Sequence, residues 1–217
     1  MKNTVLTTHN NLERLSLLDL HFDYSLRTAV SLKDERVEAI HRVTRKKRAE
    51  ISNRLSFSDI LDDARSMGMP YISVFEDDVY FTEKVCPDTV AAKLPADFKA
   101  CYLGAYYKYR NGSMAVWYDK DAGIVQLKGN WLIWGSHAVI WGKGSYGMAV
   151  KELRSPRGMI TDQLIYKLLI PSGGVYALVP PAAFQREGLD AVHRNLVTRN
   201  LRTDSVNNLK RVLGVKS

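Results

Sequence analysis

Tyr71-Ile72-Ser73-Val74-Phe75-Glu76-Asp77-Asp78 is the stretch whose reading decides the fold. Its first five residues are apolar almost throughout, as expected of a strand covered on both faces, and three acids follow without a break. Upstream, residues 46–67 carry Ile51, Leu55, Ile60, Leu61, Ala64 and Met67 at helical spacing. Gly68 then Met69-Pro70 is a helix stop, because glycine tolerates the left-handed cap and proline cannot continue the helix. Helix, stop and buried strand together make an α/β unit. Working outward, strands are predicted at 4–9, 99–103 (closed by Gly104), 123–128, 137–141 and 175–179, the last halted by Pro180-Pro181. Helices are predicted at 144–153, with Tyr146, Ala149, Val150 and Leu153 on one face, and at 161–170. In the second, Thr161 caps while Leu164, Ile165, Leu168 and Leu169 face inward. Strands alternating with helices argue for one α/β domain over residues 1–186, followed by a basic helical extension over 187–217.

The 217 residues are 46% hydrophobic and 25% charged, which excludes wholesale disorder, collagen-like repeats and coiled coils. Two cysteines, Cys86 and Cys101, exclude a disulfide scaffold or a Cys-rich zinc domain and fit a reducing compartment. The N-terminal residues turn polar too soon for a signal peptide, and no apolar run approaches the roughly 18 to 20 residues that span a bilayer. A soluble, cytoplasmic protein is therefore expected. Its net charge of +8 points to an anionic partner. The excess sits in two blocks: residues 33–54 hold eight Lys and Arg against four acids, and residues 186–217 hold seven against three. Two readings stay open, solvated helical faces or peripheral docking on an anionic membrane. Nucleic acid is disfavoured, because ten of the fifteen Tyr and Trp lie at 102–146, away from both blocks. Some of those aromatics must be core, and others, among Gly, Asn and Lys, are expected to line a ligand cleft.

Three acids at the end of a buried strand repel one another beside low-dielectric protein. A divalent cation resolves the conflict, since carboxylates are hard oxygen ligands for Mg²⁺ or Mn²⁺. The carboxyl ends of strands are also where open α/β sheets bind ligands. Glu76 and Asp78 share one face of an extended chain, leaving Asp77 to point elsewhere. The competing reading is an exposed acidic turn.

An ordered series of segments resembles glycosyltransferase family 25. Ala49-Glu50-Ile51-Ser52-Asn53-Arg54-Leu55-Ser56, Gly68-Met69-Pro70-Tyr71 and the strand into Glu76-Asp77-Asp78-Val79 are similar to its core. Asn11-Leu12-Glu13-Arg14, Ala29-Val30, Tyr102-Leu103-Gly104 and Gly135-Ser136-His137-Ala138-Val139-Ile140 fit in order, with Thr161-Asp162, Pro180-Pro181 and Gln185 as closing landmarks. The resemblance covers roughly residues 4–186. The chain departs from the family at Phe57, where His is usual, and at Ser31, where Asp is usual.

The resemblance implies a GT-A fold and an inverting transfer from a nucleotide sugar, typically UDP-galactose, with Mn²⁺ or Mg²⁺ at the diphosphate. On that footing Asp78 is the first metal ligand, Glu76 assists at the metal or the ribose, and Asp77 orients either. His137 completes the site or is a core strand histidine, and His193 is the reserve ligand. Asn11 and Arg14 sit where a uracil or ribose would rest. Asp162 is the candidate base for the acceptor hydroxyl, its alternative being an acid favoured by a helix N-terminus. The acceptor is a saccharide lying against Trp131 or Trp134, in lipooligosaccharide or another surface glycan. The other readings are a Mg²⁺-dependent enzyme of nucleotides or phosphate esters, and a binding module for anionic membrane or nucleic acid.

Overall fold

The computed structural model describes residues 2–7, 12–185 and 199–214. Its elements begin with β1 (Asn3–Thr7), α1 (Leu12–Ser16), β2 (Ser25–Thr28), α2 (Glu35–Thr44), α3 (Arg48–Ser66) and β3 (Tyr71–Glu76). There follow β4 (Val79–Phe81), α4 (Pro87–Ala92), β5 (Ala100–Lys108), β6 (Ser113–Asp119), β7 (Ile124–Gly129) and β8 (Leu132–Gly142). The chain continues through α5 (Lys143–Arg154), α6 (Thr161–Leu164), a π-helical turn (Ile165–Leu169), β9 (Val175–Leu178), β10 (Ala183–Gln185) and α7 (Arg199–Leu213).

Among the described residues, eight strands form one mixed sheet in the order β2-β1-β3-β8-β5-β9-β7-β6, and β10 pairs with β4 separately. β1 is parallel to β2 and β3, while β8 runs antiparallel between β3 and β5. The expected α/β class is present, with helices on both faces. Strand alternation shows why. Ile72 and Val74 of β3, Ala100 and Tyr102 of β5, and Val139 and Trp141 of β8 face one core, with α3, α5, α6 and Leu209 of α7. Phe75, Cys101, Leu103, Ala138 and Ile140 face the other, against α4 and the segment around Leu18 to Tyr24. A strand buried on both sides reads as a continuous apolar run. No helix among the described residues is long and apolar enough to cross a membrane.

The helix stop before β3 behaves as its residues dictate. Gly68 takes a positive φ of 65°, and the Met69 amide closes back on the Ala64 carbonyl at 2.9 Å. On α3, the Ser56 hydroxyl accepts from the Val30 amide (2.8 Å) and donates to the Ser52 carbonyl (2.7 Å). Ser52 donates to the Val30 carbonyl. The two serines thereby pin the loop after β2, which gives the Ser56 landmark a structural role. Phe57 is fully buried and its ring lies 6.3 Å from that of Trp141, so it fills core volume.

Arg54 is fully buried on the same helix. Its guanidinium donates to the Gly158 carbonyl (2.5 Å) and the Ser155 carbonyl (3.1 Å), and Lys46 also donates to Gly158. These bonds hold the loop that leads into α6. Arg54→Ala would remove a donor from both carbonyls, leaving Gly158 with Lys46 alone, and open a cavity, so a loss of about 2–3 kcal/mol is expected in denaturant unfolding. A change below about 0.5 kcal/mol would mean that the loop holds itself.

Several elements lie beyond the sequence reading: α1, α2, α4, β2, β4, β6 and β10. β2 is short and mostly exposed. On β6, Met114, Val116 and Tyr118 are exposed while alternate residues pack inward, an edge strand with an apolar outer face. β5 and β8 also run further than predicted, and their outer halves pair through Tyr106↔Trp134 to Lys108↔Leu132. α7 packs on β5 and β6, with the Asn208 amide donating to the Tyr107 carbonyl at 3.0 Å.

The first basic block is partly neutralised within the fold. Arg36 pairs with Asp34 and Asp59, Arg48 pairs with Glu38, and Arg54 is internal. Lys33, Arg42, Arg45 and Lys47 remain exposed. Residues 186–198 of the second block lie outside the described residues.

Candidate active site

Parallel pairing of β1 with β3 sets Leu6 opposite Glu76, so the chain just past both strands meets at one edge of the sheet. There the Thr7 hydroxyl donates to Asp77 Oδ2 at 2.8 Å, and Arg14 Nη1 donates to Asp77 Oδ1 at 2.9 Å. The same guanidinium stands 3.8 Å from Asp78 Oδ2. Asp77 therefore ties the ends of β1, α1 and β3 together, with Arg14 lying between it and Asp78. The Arg14 guanidinium is committed to this acidic edge. Asp78 Oδ2 accepts from the Gln185 amide at 2.9 Å, a contact fixed by the β10–β4 register that sets Gln185 opposite Val79. Asp78 Oδ1 is buried and accepts no hydrogen bond.

Glu76 faces the helix side. The Asn53 amide of α3 approaches Glu76 Oε1 at 3.4 Å, and the Thr161 hydroxyl at the start of α6 approaches Asn53 Oδ1 at 3.4 Å. The next residue, Asp162, accepts the Gly135 backbone N–H on Oδ2 at 2.9 Å. Gly135 has a φ of 91°, and a Cβ there would lie 2.5 Å from His137 Nδ1, so only glycine fits. Leu164, Ile165 and Leu169 behind Asp162 are fully buried and anchor the short helix, while Leu168 is only partly covered.

The carboxylates feel one another. Burial pushes Glu76 up to about 8, and the Asp78, Asp162 and Asp77 carboxylates add to the rise while Asn53 opposes it. Burial likewise pushes Asp78 up to about 6, with Gln185 and Arg14 pulling it down. Glu76 retains some accessible surface although protein packs densely around it. The arrangement carries more negative charge than its hydrogen bonds satisfy, which is the condition for binding a cation.

His137 lies on β8, fully buried, with its ring 6.0 Å from that of Tyr106. Burial depresses its pKa to about 4, against a small opposing pull from the Ala183 backbone, so the ring is neutral. Neither ring nitrogen makes a hydrogen bond of good geometry. The structure does not gather His137, Glu76 and Asp78 into one ligand set. Among the described residues, no three His, Cys, Asp or Glu side chains converge closely enough to hold a metal by themselves. Asn11 and His193 lie outside the described residues.

The aromatic stretch is corrected in part. Trp131 is fully buried, its indole N–H donating to the Met114 carbonyl at 2.9 Å, so no acceptor can lie against it. Tyr102, Tyr107, Trp141 and Tyr146 are also core. Trp134 is exposed, as are Tyr109 and Tyr118.

No protein-family model matches the chain, and no curated protein matches it in sequence. Among solved structures the chain is similar to A197 from STIV, at 13% identity over 86% of each chain with a TM-score of 0.45. It is also similar to a glycosyltransferase involved in the glycosylation of the major capsid of PBCV-1, at 10% identity over 98% of this chain and 100% of that one, TM-score 0.42. A third is mannose-1-phosphate geranyltransferase from Thermus thermophilus, at 10% identity over 82% of this chain and 74% of that one, TM-score 0.37. Likenesses this distant carry no argument about chemistry.

Sequence reasoning assigned no site role to Thr7, Asn53 or Gly135. Asn53 and Gly135 lie inside segments quoted for the resemblance, but their roles depend on partners in distant parts of the chain. Gln185 entered only as a landmark, and Thr161 also as a helix cap. α6 is instead capped at Ile160 without a side-chain bond, because the Thr161 hydroxyl turns to Asn53. The fold gives both residues a hydrogen bond at the acidic edge.

Proposed function

We propose that this chain is a metal-dependent, inverting glycosyltransferase, moving a hexose, galactose in the first instance, from a UDP-sugar to a saccharide acceptor. A place in lipooligosaccharide or other surface-glycan synthesis, akin to family 25, belongs to the same reading, as does a GT-A fold. One observation carries it: through Asn53 and Thr161 the end of β3 at Glu76 is joined to the start of α6, where Asp162 is held by the Gly135 amide, so acids from two separate elements meet at one edge of the sheet. A single acid on a strand end is ordinary, but one whose proton affinity is raised by carboxylates from a separate element as well as its own is not.

The donor set fits a hard divalent cation. Asp78 Oδ1 is a buried oxygen with no hydrogen-bond donor, and Glu76 is driven toward protonation without a counter-charge. Mg²⁺-like ions are commonly held by one or two carboxylates, with water and substrate phosphates completing the shell, so a preformed three-residue cage is not required. Asp78 and Glu76 would hold Mn²⁺ or Mg²⁺, which supplies charge stabilisation to the departing diphosphate. Asp77 keeps the pair in place through Thr7 and Arg14. Asp162 takes the proton of the acceptor hydroxyl, its carboxylate oriented by the Gly135 amide on Oδ2. The exposed Lys33, Arg42, Arg45 and Lys47 suit peripheral contact with an anionic membrane carrying the acceptor.

The test is calorimetric titration of UDP with and without Mn²⁺. In the wild type, Mn²⁺ is expected to tighten UDP binding, and Asp78→Asn is expected to remove that stimulation, roughly tenfold or more. Metal-stimulated UDP binding that is unchanged in Asp78→Asn would remove Asp78 from the site. Absence of UDP binding by the wild type under any metal would end the reading.

A further inference from the structure

A concavity of about 800 Å³ opens one helical turn beyond Asp162, between the 110–112 turn, the 126–130 end of β7 and the π-helical turn. Its size suits a sugar or disaccharide. Arg110, Lys128 and Lys167 line it, with Gln126, Asn130 and Tyr166, and no acid contributes to the wall. The three cations come from separate segments and lie outside both basic blocks. All three are exposed, and none makes an ion pair among the described residues. Like charges held together without a counter-ion are relieved by an anion.

The backbone of this wall is fixed. The Asn130 amide donates to the Gly112 carbonyl at 3.3 Å, and the Ser113 hydroxyl donates to the Asn130 carbonyl at 2.7 Å. Gly129 has a φ of 77°, and a Cβ there would lie 1.9 Å from the Gly112 oxygen, so the two turns meet only because it is glycine. Tyr166 joins this concavity to the acidic edge. It follows Asp162 by four residues, within the π-helical turn that continues α6. Its hydroxyl feels both the Asp162 carboxylate and the Arg110 guanidinium. Lys167 Nζ stands 5.8 Å from the centre of its ring.

We propose that this concavity is an acceptor subsite for an anionic saccharide, a sugar bearing phosphate or carboxylate. The anionic group sits among Arg110, Lys128 and Lys167, and the chain of the acceptor runs over Tyr166 to Asp162. The acceptor role rests on the glycosyl-transfer reading; binding of the anionic sugar does not. Amide groups of Gln126 and Asn130 supply the hydrogen bonds that a sugar ring needs and an isolated phosphate does not.

The experiment titrates the full chain with galactose 6-phosphate, galacturonate, galactose and inorganic phosphate, in the presence of saturating UDP and Mn²⁺ so that the donor site is filled. Both anionic sugars are expected to bind at least tenfold more tightly than galactose, and to weaken as salt is raised. The double substitution Lys128→Glu, Lys167→Glu is expected to weaken them at least tenfold, and Arg110→Gln alone to weaken them less. Circular dichroism melting checks that each variant is folded. Anionic sugars that bind no better than galactose, or equally well to the charge-reversed variant, would overturn the subsite. Inorganic phosphate binding as tightly as galactose 6-phosphate would overturn its saccharide part. Failure of UDP to bind at all overturns the glycosyl-transfer reading instead, and the comparison of sugars without UDP still decides the subsite.

Discussion

Asp162→Asn is expected to slow sugar transfer by roughly a hundred- to ten-thousand-fold, the usual loss for a missing general base, while UDP binding survives. Asparagine keeps the shape of the side chain and can still accept the Gly135 N–H, which Asp162 now receives at 2.9 Å. Only basicity and charge disappear. The anchoring of the helix by Leu164, Ile165 and Leu169 is untouched, so the position of residue 162 should not change. Loss of the charge also removes one of the carboxylates that raise Glu76, so metal-assisted UDP binding should weaken only modestly. Transfer rate and UDP affinity are measured on the same preparation. A variant that transfers at near wild-type rate would take Asp162 out of the mechanism, and one that loses UDP binding altogether would place it in the donor site.

The metal-free protein should become more stable as the pH is lowered from 8 to 6.5. Glu76 moves from 4.5 in the unfolded chain to about 8 in the fold. A carboxyl raised in this way supports the fold while protonated, with its contribution complete below 4.5 and lost as the pH climbs to about 8. Asp78 acts in the same direction between 3.8 and about 6. His137 acts in the opposite one: lowered from 6.5 to about 4, it supports the fold above 6.5 and withdraws that support as the pH falls. The window from 8 to 6.5 is thus governed by Glu76, and at about 1.4 kcal/mol per pH unit, with Glu76 half-protonated at pH 8 and His137 opposing, the gain is roughly 1 kcal/mol. Glu76→Gln should flatten this slope and be more stable than the wild type at pH 8. Thermal unfolding in a chelating buffer measures both. A midpoint that stays level or falls on going from pH 8 to 6.5 would show that Glu76 is not held at the raised value.

The α3–β3 unit was legible because each of its signals is local: helical spacing, a glycine stop, an apolar run. The alternation expected to turn Asp77 away from Glu76 and Asp78 does not carry past Glu76, because β3 ends there and Asp77 and Asp78 form a turn. The partners of Asp77 were not legible either. Arg14 and Asp77 are 63 residues apart and meet only because β1 and β3 run parallel in one register. β6 escaped notice because its apolar residues face both ways, Met114, Val116 and Tyr118 outward and Ala115 and Trp117 inward, leaving no polar face to mark the alternation. For His137 the sequence left two readings open, and burial on β8 decides its charge. The cations of the concavity were invisible to charge counting, because Arg110, Lys128 and Lys167 are scattered along a stretch where nearby acids cancel them.

β8 lies between β3 and β5, yet the chain makes both of those strands well before it. Tyr71 pairs with Gly142 and Ala100 with Trp141, so a growing polypeptide must hold its first strands until residue 142 has left the ribosome. Until then β3 presents an open apolar edge that ends in three repelling carboxylates, a surface suited to mispairing with other chains. Only after β8 inserts does Gly135 arrive to receive Asp162, which is synthesised later still. The order of synthesis completes the acidic edge only once Asp162 and then Gln185 have emerged, more than a hundred residues after the triplet itself, and shelter of the nascent chain during that interval becomes part of making this protein.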